Sequence, residues 1–170
     1  MLSALLMSFS SVALQSDYEQ AIHVSSLSQR AQMKTNTVEF IKDVRLTQGT
    51  IKITGDKLTV IRGALPRHEI IIADGQLATF YQTQDDGKPF DAQANTIRYD
   101  VAEGKITLTG DAQVKQLDSQ INGSKITYFL NTEELIVNTE KGGDERVNTV
   151  FLPVQFEKPK AEKTTSEKEE

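Results

Sequence analysis

The sequence predicts an all-β protein of many short antiparallel strands folded over on one apolar interior, and three observations predict it. Apolar residues recur at every second position, turn residues punctuate them every several residues, and one stretch of the pattern occurs twice. Composition agrees, because Trp is absent and aromatics make up only 6%, while Thr, Ile and Val, which suit a pleated half-buried surface, are plentiful.

In chain order the alternation runs through Ile22 and Val24, Val38 and Phe40, Val44 and Leu46, Ile51 and Ile53, then Leu58 and Val60. It resumes with Ile97, Tyr99 and Val101, Ile106 and Leu108, Ile126, Tyr128 and Leu130, and Leu135 and Val137. Period two places each set on one face of a strand. The turn signals between them are Gln48-Gly49, Gly55-Asp56, Asp86-Gly87, Glu103-Gly104, Gly110-Asp111, Asn122-Gly123 and Gly142-Gly143. No segment has the spacing of a long amphipathic helix.

Residues 38–60 laid over 106–128 match without a gap at Asp43 with Asp111, Gln48 with Gln116, Ile53 with Ile121, Gly55 with Gly123, Lys57 with Lys125 and Thr59 with Thr127. Val38, Phe40, Leu46, Leu58 and Val60 fall on Ile106, Leu108, Val114, Ile126 and Tyr128. One β unit is therefore used twice. A glycine at the same place in both copies predicts a tight corner where a Cβ would clash. Strands with a single apolar side bury it by folding over as a sandwich, a roll or an open barrel, and alternation alone does not separate a filled interior from one left open for a ligand.

The ends differ from the middle. Residues 1–13 are apolar and uncharged, with Ser11-Val12-Ala13 offering small residues for a signal peptidase, so they read as a signal peptide. No Lys or Arg precedes them, which fits a start codon upstream of Met1, and the run is shorter than the roughly 20 residues a membrane span needs. Residues 14–20 form an N-terminal segment, residues 21–156 a single domain, and residues 157–170 a Lys/Glu tail without large apolar groups that is expected to be disordered. Secretion is the expected fate.

Few groups here can do chemistry. There is no Cys, so thiolate zinc sites and thiol nucleophiles are excluded. His23 alternates with Ile22 and Val24 and is expected to face solvent, His68 sits in a Pro66-Arg67-His68 loop, and neither has an acidic partner at ligand spacing. Asp85-Asp86-Gly87 lacks the run of oxygen ligands of a calcium loop and reads as a hairpin turn. Phosphate loop, nucleophile elbow and dinucleotide fingerprint are all missing, so neither catalysis nor a cofactor is expected. The net charge of −5 is spread along the chain, which argues against nucleic acid as a partner.

Four stretches carry a resemblance: Thr47 to Ile53 (TQGTIKI), Ala78 to Gln82 followed by Gly87-Lys88-Pro89, Leu108-Thr109-Gly110-Asp111, and Gly123 to Tyr128 (GSKITY). In this order and at nearly constant spacing across 21–156, they resemble the OstA-like family of periplasmic lipopolysaccharide transport proteins. The loop at 63–69 departs from the family's glycine-rich form, and the tail differs. The resemblance implies a twisted open β-jellyroll whose V-shaped sheets enclose an apolar groove for the acyl chains of lipid A. By matching positions it implies lipid contact at Ile22, Val24, Arg62, Phe80, Tyr99 and Val101. For the apolar five, ordinary core packing fits the alternation equally well, and Arg62 could meet a phosphate or simply be solvated.

The family also implies end-to-end assembly of copies through edge strands, with an LptC-like inner-membrane protein at the N-terminal edge and an LptD-like outer-membrane protein at the C-terminal edge. Here the edge candidates are Ala21, Ile22, His23, Val24 and Ser25 at one end, and Val147, Asn148, Thr149, Val150, Phe151 and Leu152 at the other. A periplasmic carrier has a physical rationale, because exposing one acyl chain of about a dozen carbons to water costs on the order of 10 kcal/mol at about 0.8 kcal/mol per methylene. As both protein and lipid A are acidic, apolar burial must dominate such binding. The competing readings are an LptC-like component, which would need a membrane anchor, a ligand-free structural β bridge, and a carbohydrate-processing enzyme, for which no converging carboxylate pair is found.

Overall fold

The computed structural model describes residues 17–117, 119–139 and 146–150. After a 3-10 turn at Asp17–Glu19, the chain forms β1 (His23–Ser25), β2 (Ser28–Gln32), β3 (Thr37–Gln48), β4 (Ile51–Ile61) and β5 (Ile70–Thr83). It continues through β6 (Pro89–Asp100), β7 (Lys105–Gln116), β8 (Ser119–Phe129), β9 (Glu134–Asn138) and β10 (Asn148–Val150). All pair antiparallel in one 10-stranded sheet. Strands β3 to β8 follow one another as a meander; β1 and β2 share the free side of β3, and β9 and β10 share the free side of β8.

Each long strand is bent once. The register shifts between Ile41 and Val44 on β3, Thr54 and Lys57 on β4, Asp74 and Ala78 on β5, Gln93 and Thr96 on β6, and Thr109 and Ala112 on β7. These bulges are ladder neighbours, so they form one crease across the sheet and divide it into two arms. The arms meet: Phe90, before the crease on β6, stacks on Tyr128, beyond the crease on β8, with ring centroids 4.1 Å apart. The predicted strands are thus halves of long bent ones. Small inward residues beside the crease, Ala73, Ala78, Ala94 and Ala112, let the arms close, and all are buried.

The sequence repeat is a structural one. Strand β3 lies over β7 and β4 over β8 in that alignment, with the same bulge in both hairpins. Positive φ angles coincide as well: Lys42 (66°) with Gly110 (75°), Asp43 (47°) with Asp111 (48°), and Gly49 (58°) with Leu117 (52°). A short Asp tolerates this left-handed conformation, which explains the repeated aspartate at the bulge. A Cβ on Gly55 would sit 2.9 Å from the Asp74 carbonyl oxygen and one on Gly123 2.8 Å from Val137 Cγ1, the clash expected of a corner.

Three turn assignments need correction. Gly55-Asp56, Gly110-Asp111 and Asn122-Gly123 lie inside β4, β7 and β8, at the crease, because a bulge asks for the same small or αL-tolerant residues as a turn. Gln48-Gly49, Asp86-Gly87 and Glu103-Gly104 are turns as expected. Val101 lies just past β6, and its N–H donates to the Glu69 carbonyl at 3.1 Å. Gly142-Gly143, Phe151, Leu152, the leader 1–13 and the tail 157–170 lie outside the described residues.

Candidate functional site

The inner wall holds the buried apolar core of the described residues. One arm carries Leu46, Ile51, Ile53, Phe80, Phe90 and Val114; the other carries Leu58, Ile71, Ile97, Tyr99, Ile106, Leu108, Ile126 and Tyr128, all buried. Of the residues that the resemblance singles out, Phe80 is 1% exposed, Tyr99 0% and Val101 5%, so in this state they are wall packed against wall. Phe80 meets Phe90 edge-on at 6.1 Å and Tyr128 at 6.4 Å. Ile22 and Val24 are partly buried against the same cluster at the N-terminal end.

Arg62 is exposed and stands beside an apolar cleft of about 260 Å³ whose lining includes Met33, Val38 and Phe40. A second cleft, of about 430 Å³, opens at the other end of the wall between Val114, Leu117, Ile121 and Leu135, with Lys88 at its rim. Lys88 is ion-paired with Asp86. The wall therefore ends in an apolar opening with a cation beside it at both ends of the sheet.

Polar side chains occupy the inward positions near the strand ends. Tyr99 Oη donates to Gln48 Oε1 at 3.0 Å, and Tyr128 Oη donates to Gln82 Oε1 at 3.2 Å and accepts from Gln84 Nε2 at 3.3 Å. Gln116 Nε2 bonds Gln84 Oε1. Asp17 adds a carboxylate at this end, accepting from Thr50 N–H and Thr50 Oγ1, each at 2.6 Å, and from Gln82 Nε2 at 3.2 Å. Among the described residues no buried side-chain nitrogen or oxygen is left without a partner. Burial, reinforced by the Asp17 charge, raises the Tyr99 hydroxyl well above the usual phenol range; burial likewise pushes Tyr128 up to about 12, despite the opposing hydrogen bond from Gln84.

The edges are short. Val24 of β1 pairs with Leu46, and Thr149 of β10 with Ile121, while every residue of β2 and β10 is exposed. Ala21 and Ile22 precede β1, and Val147 precedes β10, so the predicted edge segments contain the strands His23–Ser25 and Asn148–Val150.

His23 and His68 are both exposed, as alternation and loop position predict; His68 Nδ1 lies 3.1 Å from the Pro66 carbonyl oxygen. Asp86 lies in the β5–β6 turn and accepts from Lys88 N–H at 3.0 Å. Among the described residues no three His, Asp or Glu side chains are grouped to hold a metal ion, and no helix is long and apolar enough to cross a membrane.

The family described as LptA/(LptD N-terminal domain) LPS transport protein matches residues 23–134. The chain is 41% identical over 156 residues to the lipopolysaccharide export system protein LptA of Escherichia coli K12, covering 91% of this chain and 83% of that one. It is 40% identical over 157 residues to LptA of Haemophilus influenzae, covering 91% and 90%. A crystal structure of Pseudomonas aeruginosa LptH, described as the LptA homologous periplasmic component of the conserved lipopolysaccharide transport device, is similar with a TM-score of 0.74. That likeness has 26% identity and covers 82% of this chain and all of that one.

Proposed function

The chain belongs to the LptA/LptD N-terminal-domain family of lipopolysaccharide transport proteins, and from that premise we propose that it carries lipopolysaccharide across the periplasm with the acyl chains held between its two arms. The observation that carries this reading is the creased sheet, whose two arms present one continuous apolar wall with an apolar opening at each end. An acyl chain between the arms would exchange water for that wall, while the phosphorylated head stays in solvent.

Phe80, Tyr99 and Val101 would line the middle of the path, Ile22 and Val24 its N-terminal end, and Arg62 would meet a phosphate at the rim, where a guanidinium is exposed beside apolar side chains. Strands β1 and β10 would take partners by strand addition: an LptC-like protein or another copy at His23–Ser25, and another copy or an LptD-like protein at Asn148–Val150. Transport would be passive, with energy supplied by other components. The family's role is transport, which is a non-enzymatic one.

The test is a photoreactive residue at Phe80 or Val101, with Lys52, exposed on β4, as the outward control. Light-dependent crosslinks to lipopolysaccharide are expected at the interior positions and not at Lys52. The packed interior favours one other reading, a ligand-free bridge between envelope proteins, and a folded protein without interior crosslinks would establish it in place of the carrier.

A further inference from the structure

The hydrogen bonds between the arms point to a device that the apolar wall alone does not require. Gln48, Gln82 and Gln84 come from one lip, at the ends of β3 and β5; Tyr99 and Tyr128 come from the other arm, at the ends of β6 and β8. Both tyrosines reach across the interior, so these bonds span the mouth between the arms. At the surface the Asp85 N–H, in the β5–β6 turn, donates to Glu133 Oε1, in the turn after β8, at 3.1 Å, a further link from lip to lip.

The Asp17 carboxylate braces the glutamine side. It holds Gln82 and Thr50, and Gln48 Nε2 donates to the Gln20 carbonyl at 3.1 Å, so the glutamine amides are oriented before any tyrosine meets them. Gly49 makes this possible, because a Cβ there would lie 2.2 Å from Asp17 Oδ1.

We infer that Tyr99 and Tyr128, with Gln48, Gln82 and Gln84, form a latch that keeps the mouth shut when no lipid is bound and that must break to admit an acyl chain. The inference rests on the carrier reading for its purpose, whereas the hydrogen bonds themselves are seen in the structure. Hydrogen bonds suit the task because they are directional and are lost over a small displacement, whereas apolar contact between the arms tolerates sliding. A protein whose open form is a minority binds its ligand more weakly in proportion to that fraction, so the latch lowers apparent affinity and removing it raises it.

The experiment places spin labels at Asp85→Cys and Glu133→Cys in the otherwise cysteine-free chain and measures the distance between the lips without lipid. The unaltered latch should give one short, narrow distribution, and Tyr99→Phe/Tyr128→Phe, which keeps both rings, a broader and longer one. The same double substitution removes three tyrosine–glutamine bonds and should tighten lipopolysaccharide binding by about fivefold for each tyrosine replaced, roughly 25-fold if the two sites act independently. A short bismaleimide bridge between the same cysteines, with both tyrosines present, should slow lipid uptake at least tenfold and release it when a cleavable linker is cut. Unchanged lip distances in the double variant, or full uptake by the bridged protein, would overturn the latch. Absence of lipopolysaccharide binding by the parent protein would instead overturn the carrier reading, with the lip distances still deciding the latch.

Discussion

Truncating Phe80 to alanine asks whether the interior is a packed core or an open trough in the lipid-free protein. The ring is 1% exposed and touches Phe90 and Tyr128 edge-on, so its removal leaves a cavity walled by two aromatics that are themselves stacked and cannot both move into it. Phe→Ala substitutions at such sites cost about 3–5 kcal/mol, part of it the cavity left behind. With a urea slope of about 2 kcal/mol per molar, the unfolding midpoint should fall by roughly 1.5–2.5 M, followed by far-UV circular dichroism. A trough open to water would leave Phe80 wet on one side, and truncation would then cost under about 1 kcal/mol, as for an exposed position. A shift of that smaller size, at unchanged slope, would refute the packed interior and with it the idea that the arms must part.

Other perturbations test other parts of the structure. Gly55→Ala should destabilise by about 1–3 kcal/mol, because its Cβ would meet the Asp74 carbonyl oxygen, whereas Gly123→Ala meets only the end of the Val137 side chain and should cost clearly less; paired urea melts decide. Asp17→Ala removes three hydrogen bonds to a carboxylate and should cost about 2 kcal/mol, with faster amide exchange at Thr50 as its local signature. Leu117→Gly should stabilise by about 1 kcal/mol, since Leu117 holds a φ of 52° where the other copy of the repeat has Gly49. Because the folded state raises both buried phenols, stability is unaffected by them below about pH 10 and falls as pH climbs through the interval up to about 12 for Tyr128. Phenolate absorbance should show a late-titrating fraction that Tyr99→Phe/Tyr128→Phe abolishes, and its titration near pH 10 would contradict the buried mouth.

Most of the sheet was legible because the long strands turn one face to a dry interior, which writes alternation into the sequence, and because the hairpin is repeated with its αL positions intact. The crease was misread as three turns, since Gly-Asp and Asn-Gly report a local conformation and not whether the chain reverses. Strand β2 left no trace: Ser28–Gln32 is wholly exposed, and what makes it a strand is its backbone pairing with residues 37–41, which composition cannot reveal. The mouth was missed because glutamine reads as surface. Parity could have found it, for Gln48 follows Leu46, Gln82 and Gln84 follow Phe80, and Gln116 follows Val114, each in the inward phase at a strand end, and the repeat aligns Gln48 with Gln116.

The placement of polar groups at the lips and apolar groups below them bears on how a closed core can also be a lipid path. On the carrier reading, an entering acyl chain would let Phe80 or Ile97 trade contact with the opposite arm for contact with methylenes, and both are apolar surroundings of similar density. The wall is then indifferent to which neighbour it has, apart from the water the lipid itself leaves behind. The tyrosine–glutamine bonds have no such substitute among methylenes, and a buried amide or phenol left without a partner costs about 1–3 kcal/mol unless water or a polar lipid group replaces it. Opening is thus opposed chiefly by a few polar groups at the rim, where headgroup oxygens and solvent can reach them. In a carrier that must also release its cargo, the affinity is adjusted more readily by these rim groups than by the extent of the apolar wall.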